Sequence, residues 1–402
     1  MPQCKRTRVS RVADLISALP DVLLHQILGL LQAREAVQTC VLGRRWRNLW
    51  KSMPELRVTG ASPVESLQEF MDHLLLLRDR SGLDVCMFEF GKYLSVHVSY
   101  LNLWIRHALL CQVRELDVAV FGSCRMVNEL ALDNLPVVSQ YLAKLNLRGL
   151  SLDYKFLDFS SCPALKDLNL TKCNIFCTKI SSQSLESLGI QDCKFLWDDC
   201  RSHISTPSPI TLKIKDNWGL TPSFGEMPAL LRAIVKLGHD CFDSCQDDLE
   251  YCDEASCWNC YRTADGSAGC VLLKSLSAAR SLELIAEPKT LPEAKAKNSF
   301  SSKTMYNSVE QSFPSESLKN VKVECYNIDE RFNSDTHNAC TLTFIFRRDV
   351  RWCPTFSKLK TLLLSAWCVD HDLRALICIL QHTPVLEMLT LQLSQYASMH
   401  CI

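Results

Sequence analysis

The residues best suited to chemistry crowd into one stretch, HDCFDSCQDDLEYCDEASCWNCYRTADGSAGC from His239 to Cys270, with six cysteines among acidic and aromatic neighbours. Cys241-x3-Cys245 and Cys257-x2-Cys260 bring thiolates together in pairs, the donor type that holds zinc tetrahedrally; Cys252, Cys270 and His239 are further ligand candidates. The pairs lack the length and framing of a known zinc knuckle. The default reading is therefore an irregular loop of reduced thiols, and neither metal nor cofactor is assigned. For catalysis, Cys241 with His239, or His371 with Asp372, would pair a reactive group with a neighbour, but neither pair sits in a recognised motif. The chain has no GxGxxG, P-loop, HExxH or GxSxG, and its 13 glycines in 402 residues leave little material for phosphate-cradling loops. No catalytic residue is named. Asn169-Leu170-Thr171 matches a glycosylation sequon and is read as a chance match.

The elements that must position any site come from an ordinary globular composition. With 44 basic and 44 acidic side chains and 47% hydrophobic residues, the chain is neither a polyelectrolyte nor disordered, and net charge lends no support to nucleic-acid binding. Its longest apolar runs, such as Leu74 to Leu77, fall far short of the roughly 20 residues a spanning helix needs. The polar, basic N-terminus has no apolar signal core. The expectation is a nuclear or cytoplasmic chain that meets no membrane, its 22 cysteines mostly reduced and buried. A length of 402 residues suits two or three domains, or one domain and a repeat array.

The first strong pattern, Leu15 to Trp50, reads as three short helices. Pro20 suits a first helical turn, and Asp21 favours the positive end of the helix dipole. Val22, Leu23, Leu24, Ile27, Leu28, Leu30 and Leu31 cover more of the circumference than one core-facing stripe requires. A segment of about forty residues cannot bury so much apolar surface alone, so another chain or the rest of this one must cover it. Helices over about 33–39 and 44–50 follow, the last with the cluster Arg44, Arg45, Trp46, Arg47, Trp50.

This segment resembles an F-box, the motif through which substrate receptors of Skp-cullin-F-box ubiquitin ligases dock on a Skp-type adaptor. The likeness rests on Leu19-Pro20, Ile27-Leu28 and Leu31, then Cys40-Val41-Leu42 leading into Arg45-Trp46-Arg47-Asn48-Leu49-Trp50. The form CVLxRRWRxLW is similar to that of plant F-box proteins carrying leucine-rich repeats, with Gly43 where that family more often has Ser. The resemblance implies adaptor-binding residues among Leu19, Pro20, Ile27, Leu28, Leu31, Val41, Leu42, Arg45, Trp46 and Leu49, some of them also core.

After a capping box at Ser62 to Glu65, a helix is expected over 63–80, a strand over 84–90 and a helix from Val98 to Leu109. Three copies of LxxLxLxx(N/C)xL then begin at Leu142, Leu165 and Leu185, spaced 23 and 20 residues apart. Weaker copies follow at Leu212/Ile214, Leu282/Leu284, Leu318/Val321/Val323, Leu359/Leu362/Leu364 and Leu386/Leu389/Leu391. Each unit supplies one parallel strand with inward leucines, and only stacking of neighbours closes the core. Cys173 and Cys193 occupy the ninth position, where a small side chain satisfies backbone groups of the turn. Between the leucines, Asn146, Arg148, Asn169, Thr171, Gln191, Lys213 and Lys215 face the concave side, a polar and mildly basic row suited to an acidic or hydrogen-bonding target.

The expected fold is α/β: a three-helix F-box at 14–53 behind a basic tail at 1–13, connecting elements over 54–108, and an irregular leucine-rich-repeat solenoid over 109–402. A Cys-rich insertion at 239–270 and a polar loop at 287–316 interrupt the repeats. Family members often continue into a further module, so the chain reads as a shortened form with a fraying last repeat. The implied function is the non-catalytic, target-binding subunit of a cullin-RING ubiquitin ligase, its protein target unknown; the alternative is a repeat scaffold that never meets the ligase.

Overall fold

A computed structural model describes residues 16, 19–60, 64–79, 81–91, 98–121, 132, 136–196, 201–237, 241–242, 272–286, 319–326, 353–365 and 374–394. The head consists of α1 (Asp21–Gly29), α2 (Ala33–Gln38), a 3-10 turn (Thr39–Val41), and α3 (Trp46–Leu49), which runs into a second 3-10 turn (Trp50–Ser52). The Glu35 carboxylate accepts the Gln32 N–H at 3.1 Å and so helps fix the start of α2.

The sheet begins directly behind this head. Strand β1 (Glu55–Gly60) lies parallel to β2 (Val85–Phe90), and β2 to β3 (Glu115–Val120); helices α4 (Val64–Leu77) and α5 (Val98–Leu110) make the crossovers. Leu56, Cys86 and Leu116 share one register position 30 residues apart, room enough for a helical return. On α4, Leu67, Met71 and Leu74 recur on the buried face; on α5, Leu101, Trp104, Ile105 and Ala108 do so, with the Trp104 ring 6.3 Å from Phe88 and 5.9 Å from Phe90. Strands β1 to β3 belong to the same sheet that the later repeats extend. The capping box at 62–65 has its first two residues outside the described set.

From Lys144 the repeats shorten and the returns become extended. In chain order they give β4 (Lys144–Arg148), β5 (Ser151–Asp153), β6 (Asp167–Thr171), β7 (Asn174–Phe176), β8 (Lys179–Ser181), β9 (Ser187–Gln191), β10 (Lys194–Phe195) and β11 (His203–Ser205). They continue as β12 (Thr211–Lys215), β13 (Trp218–Leu220), β14 (Ser223–Phe224), β15 (Arg232–Leu237) and β16 (Cys241–Phe242). Strands β4, β6, β9, β12 and β15 extend the main sheet; β5, β7, β10, β13 and β16 form a second parallel sheet, and β8, β11 and β14 a third. The inward positions Leu145, Leu168, Leu188 and Leu212 stack in register, as do Leu147, Leu170, Ile190 and Ile214, all buried.

The last part holds α6 (Leu273–Leu276), β17 (Ser281–Ala286), β18 (Asn320–Tyr326), β19 (Thr361–Ser365), α7 (Arg374–Gln381) and β20 (Met388–Ser394). Here the stacking departs from sequence order: β17 pairs with β19, β19 with β20, and β18 lies beyond β20 at the edge. Strand β20 therefore has a parallel neighbour on both sides, and the residues after Ser394, where fraying is expected, lie outside the described residues. One contiguous buried cluster runs from Leu24 to Leu389, so head and solenoid share a core.

Candidate functional site

Helix α1 divides its apolar residues between two faces. Leu24, Leu28 and Gly29 are buried, and Leu19 and Leu31 pack half-buried against the core. On another face Leu23, Ile27 and Leu30, spaced i, i+4, i+7, are exposed, as is Val22. Val41 and Leu42, at the end of the 3-10 turn, are 83% and 63% exposed. Trp46, Leu49 and Trp50 fill the space behind and leave these residues no place inside. The Arg45 guanidinium donates to Asp21 Oδ1 through Nε at 3.0 Å and Nη2 at 2.6 Å, holding the segment that carries Val41 and Leu42 to the start of α1. An exposed ion pair of this kind is worth at most about 1 kcal/mol, so its role is positional.

The ten residues expected to face an adaptor therefore separate. Pro20, Ile27, Val41, Leu42 and Arg45 are exposed, and Leu19 and Leu31 intermediate. Leu28, Trp46 and Leu49 fall on the core side of that division: Leu28 is fully buried and Trp46 is 3% exposed, so their side chains hold the head together. Val22, Leu23 and Leu30, which are not among those ten, are exposed on the same helix, as its excess apolar circumference implies.

The head is also tied to the sheet. Arg57 on β1 donates Nε to the Gly29 carbonyl at 2.7 Å and pairs with Glu55 at 2.9 Å, while a Cβ on Gly29 would lie 3.1 Å from the Glu55 carboxyl carbon. Just beyond α4, Arg78 is buried and donates Nη2 to the Met53 carbonyl at 2.5 Å, joining α4 to the end of the head. Among the described residues no carboxylate forms an ion pair with it. Burial lowers its pKa, and burial followed by the Arg78 charge lowers that of His107 on α5.

On the concave face the register aligns outward residues into rows. One row runs Asp117, Asn146, Asn169, Gly189, Lys213; the next runs Arg148, Thr171, Gln191, Lys215, Lys236. Asn146 Nδ2 donates to Asp117 at 3.2 Å, and Asn169 Nδ2 donates to Asn146 Oδ1 at 3.0 Å, a side-chain ladder across three strands. Asn169 is thus engaged as a donor within the sheet. The ladder continues over bare backbone, since a Cβ on Gly189 would meet Asn169 Oδ1 at 2.5 Å. Arg148 lies over the Phe121 ring at 4.8 Å. Lys213 is exposed and Lys215 half-buried, and among the described residues no carboxylate pairs with either. The seven expected residues share one surface, and Asp117, which anchors the ladder, is an addition.

The turns that end these strands repeat one device. Gly149, Lys172, Asp192 and Asp216 have positive φ, and the N–H of each donates to the end of the next strand, at 3.0, 2.9, 3.0 and 2.9 Å to Thr171, Gln191, Lys215 and Lys236. Each precedes a ninth-position residue. Cys173 donates Sγ to the Leu147 carbonyl, Cys193 Sγ accepts the Cys173 N–H, and Asn217 Oδ1 accepts the Cys193 N–H at 2.9 Å while its Nδ2 donates to the Ile190 carbonyl at 3.2 Å. Burial pushes the Cys193 thiol up. Of the candidate zinc ligands, Cys241 starts β16, while His239, Cys245, Cys252, Cys257, Cys260 and Cys270 lie outside the described residues, as do His371 and Asp372.

A short helical head sharing its core with a parallel solenoid is the architecture expected of an F-box followed by leucine-rich repeats. The F-box domain model matches residues 16–57. Among known proteins, the chain is similar to an F-box/LRR-repeat protein of Arabidopsis thaliana, 31% identical over 222 residues, 48% of this chain and 72% of the relative. It is also similar to an F-box/FBD/LRR-repeat protein of Arabidopsis thaliana, 28% identical over 252 residues, 55% of this chain and 60% of the relative. F-box/LRR-repeat protein 13 of that plant is 32% identical over 175 residues, 42% of this chain and 38% of the relative. The chain belongs to the plant F-box/LRR-repeat family. It spans about three fifths of the length of the F-box/FBD/LRR-repeat relative. No solved structure matches it.

Proposed function

We propose that this chain is the target-recognition subunit of a Skp-cullin-F-box ubiquitin ligase. The observation that carries the reading is the set of large apolar residues the head leaves outside its own core, Val22, Leu23, Ile27, Leu30, Val41 and Leu42. Burying them against a Skp-type adaptor removes apolar area from water at roughly 25 cal/mol per Å². Leu28, Trp46 and Leu49 shape that surface from behind. The repeats hold a protein target along the concave rows, where Arg148, Lys213 and Lys215 favour an acidic segment and Asn146, Asn169, Thr171 and Gln191 supply hydrogen bonds. In this reading the chain does no chemistry itself; ubiquitin transfer belongs to other subunits, and neither nucleic acid nor membrane takes part.

The test is direct binding of a purified plant Skp-type adaptor to the full chain, beside Ile27→Ala and Val41→Asp/Leu42→Asp variants. Ile27→Ala should cost about 1–4 kcal/mol of binding if the side chain fills an adaptor pocket. Unchanged binding by folded variants would move the interface elsewhere. No binding by folded wild type would leave a repeat scaffold that engages no ligase.

A further inference from the structure

Three side chains outside the Cys-rich segment come together near the C-terminal end of the sheet. Cys353 precedes β19, Cys378 lies in α7, and His382 follows α7 by one residue; their ligand atoms all lie within 4.8 Å of one another. We propose that Cys353, Cys378 and His382 form a zinc site.

The geometry is built at three levels. Cys378 and His382 are four residues apart, so one helical turn sets both on the same face. The segment carrying Cys353 is stitched to that turn by the Phe356 N–H donating to the His382 carbonyl at 2.8 Å. Beneath them Phe356, Ile379 and Leu386 are buried, which fixes the backbones that hold the ligands. The His382 Nδ1 lies 2.8 Å from the Cys378 carbonyl oxygen and 4.0 Å from Cys378 Sγ; in the tautomer with the proton on Nδ1 that carbonyl accepts it, and Nε2 is the nitrogen left to ligate. Such a backbone carbonyl behind a histidine is the usual outer support of a ligating imidazole.

Two thiolates and an imidazole are a borderline-soft set that suits Zn²⁺. Bonds of about 2.3 Å to two sulfurs at the tetrahedral angle put the sulfurs about 3.8 Å apart, so side-chain rotations that close the cluster by about 1 Å complete the site. All three residues are half-buried, which leaves the fourth position to water and gives the ion an entry path. Binding releases the thiol protons to solvent and involves no redox step. The ion would fasten the β19 approach to α7.

The test uses the full chain, kept reduced and stripped of metal, with Zn²⁺ alone as the probe. Alkylation of each cysteine is followed by peptide mass mapping with and without Zn²⁺, so thiols of the Cys-rich segment are scored separately. Zn²⁺ should slow alkylation of Cys353 and Cys378 together by about tenfold or more, and a chelator should restore it. His382→Ala and Cys378→Ser, checked by circular dichroism, should each bind one equivalent less than wild type. Equal alkylation rates with and without Zn²⁺, protection that survives in His382→Ala, or a Cys353–Cys378 disulfide persisting under reductant would each overturn the site. The protection measurement on wild type decides the matter if a variant fails to fold.

Discussion

Ile27 and Trp46 are both apolar residues of the head, yet truncation should report on different equilibria. Trp46 is enclosed, so Trp46→Ala should cost about 3–5 kcal/mol of folding stability, read from urea unfolding. Ile27 borders solvent, so Ile27→Ala should leave the urea midpoint almost unchanged and act on partner binding alone. Gly149 gives a backbone case: its φ is +70°, and an added Cβ would fall on the Val120 carbonyl. Gly149→Ala should therefore lose about 1–3 kcal/mol in the same measurement, and an unshifted midpoint would show that the turn relaxes freely. Residue type alone made the apolar excess of α1 legible but not its division, because Trp46, Leu49 and Trp50 decide which face is covered. The Asp117–Asn146–Asn169 ladder was hidden for another reason. Its members lie 29 and 23 residues apart and meet only once the register is set.

Among the elements, spacing was the readable quantity. The 30-residue interval between inward positions of β1, β2 and β3 demands helical crossovers, and both helices were legible from their periodicity. Strand β1 was not, since its short ELRVTG run carries two inward residues, Leu56 and Val58, and gains meaning only from β2 beside it. The out-of-order place of β18 was equally closed to sequence reading, because the three copies alternate aliphatic residues alike, at Val321/Val323, Leu362/Leu364 and Leu389/Leu391. On α5, His107 makes a pH prediction. Burial, then the Arg78 charge, holds its pKa below the ordinary 6.5, so as pH falls the unfolded chain takes the proton first. Its contribution is fully present above about pH 6.5 and is lost as pH falls through that value toward the folded pKa. The melting temperature should drop between pH 7.5 and 5.5, and the drop should be smaller in His107→Gln. An equal drop in both would assign the acid sensitivity to other groups. In Arg78→Met the His107 titration, followed by NMR, should move upward.

Taken whole, the molecule has one core rather than a detachable head and a freestanding array. A chain beginning at Glu55 would uncover the Leu56 side of β1 and lose the Met53 carbonyl that Arg78 bonds. Its urea midpoint should fall well below that of the full chain; an unchanged midpoint would make the head an independent domain. The overall architecture was legible because a repeat announces itself many times over, whereas its two ends are single events. The far end bears on how the molecule is made. Strand β18 leaves the ribosome before its neighbour β20, whose first residue is Met388, has been synthesised. During that interval its backbone donors and acceptors have no strand to meet, and the growing sheet can advance only as far as β19. Closure of this part of the sheet therefore waits on the translation of β20, and a chain stopped short of it would carry both β18 and β19 as open edges.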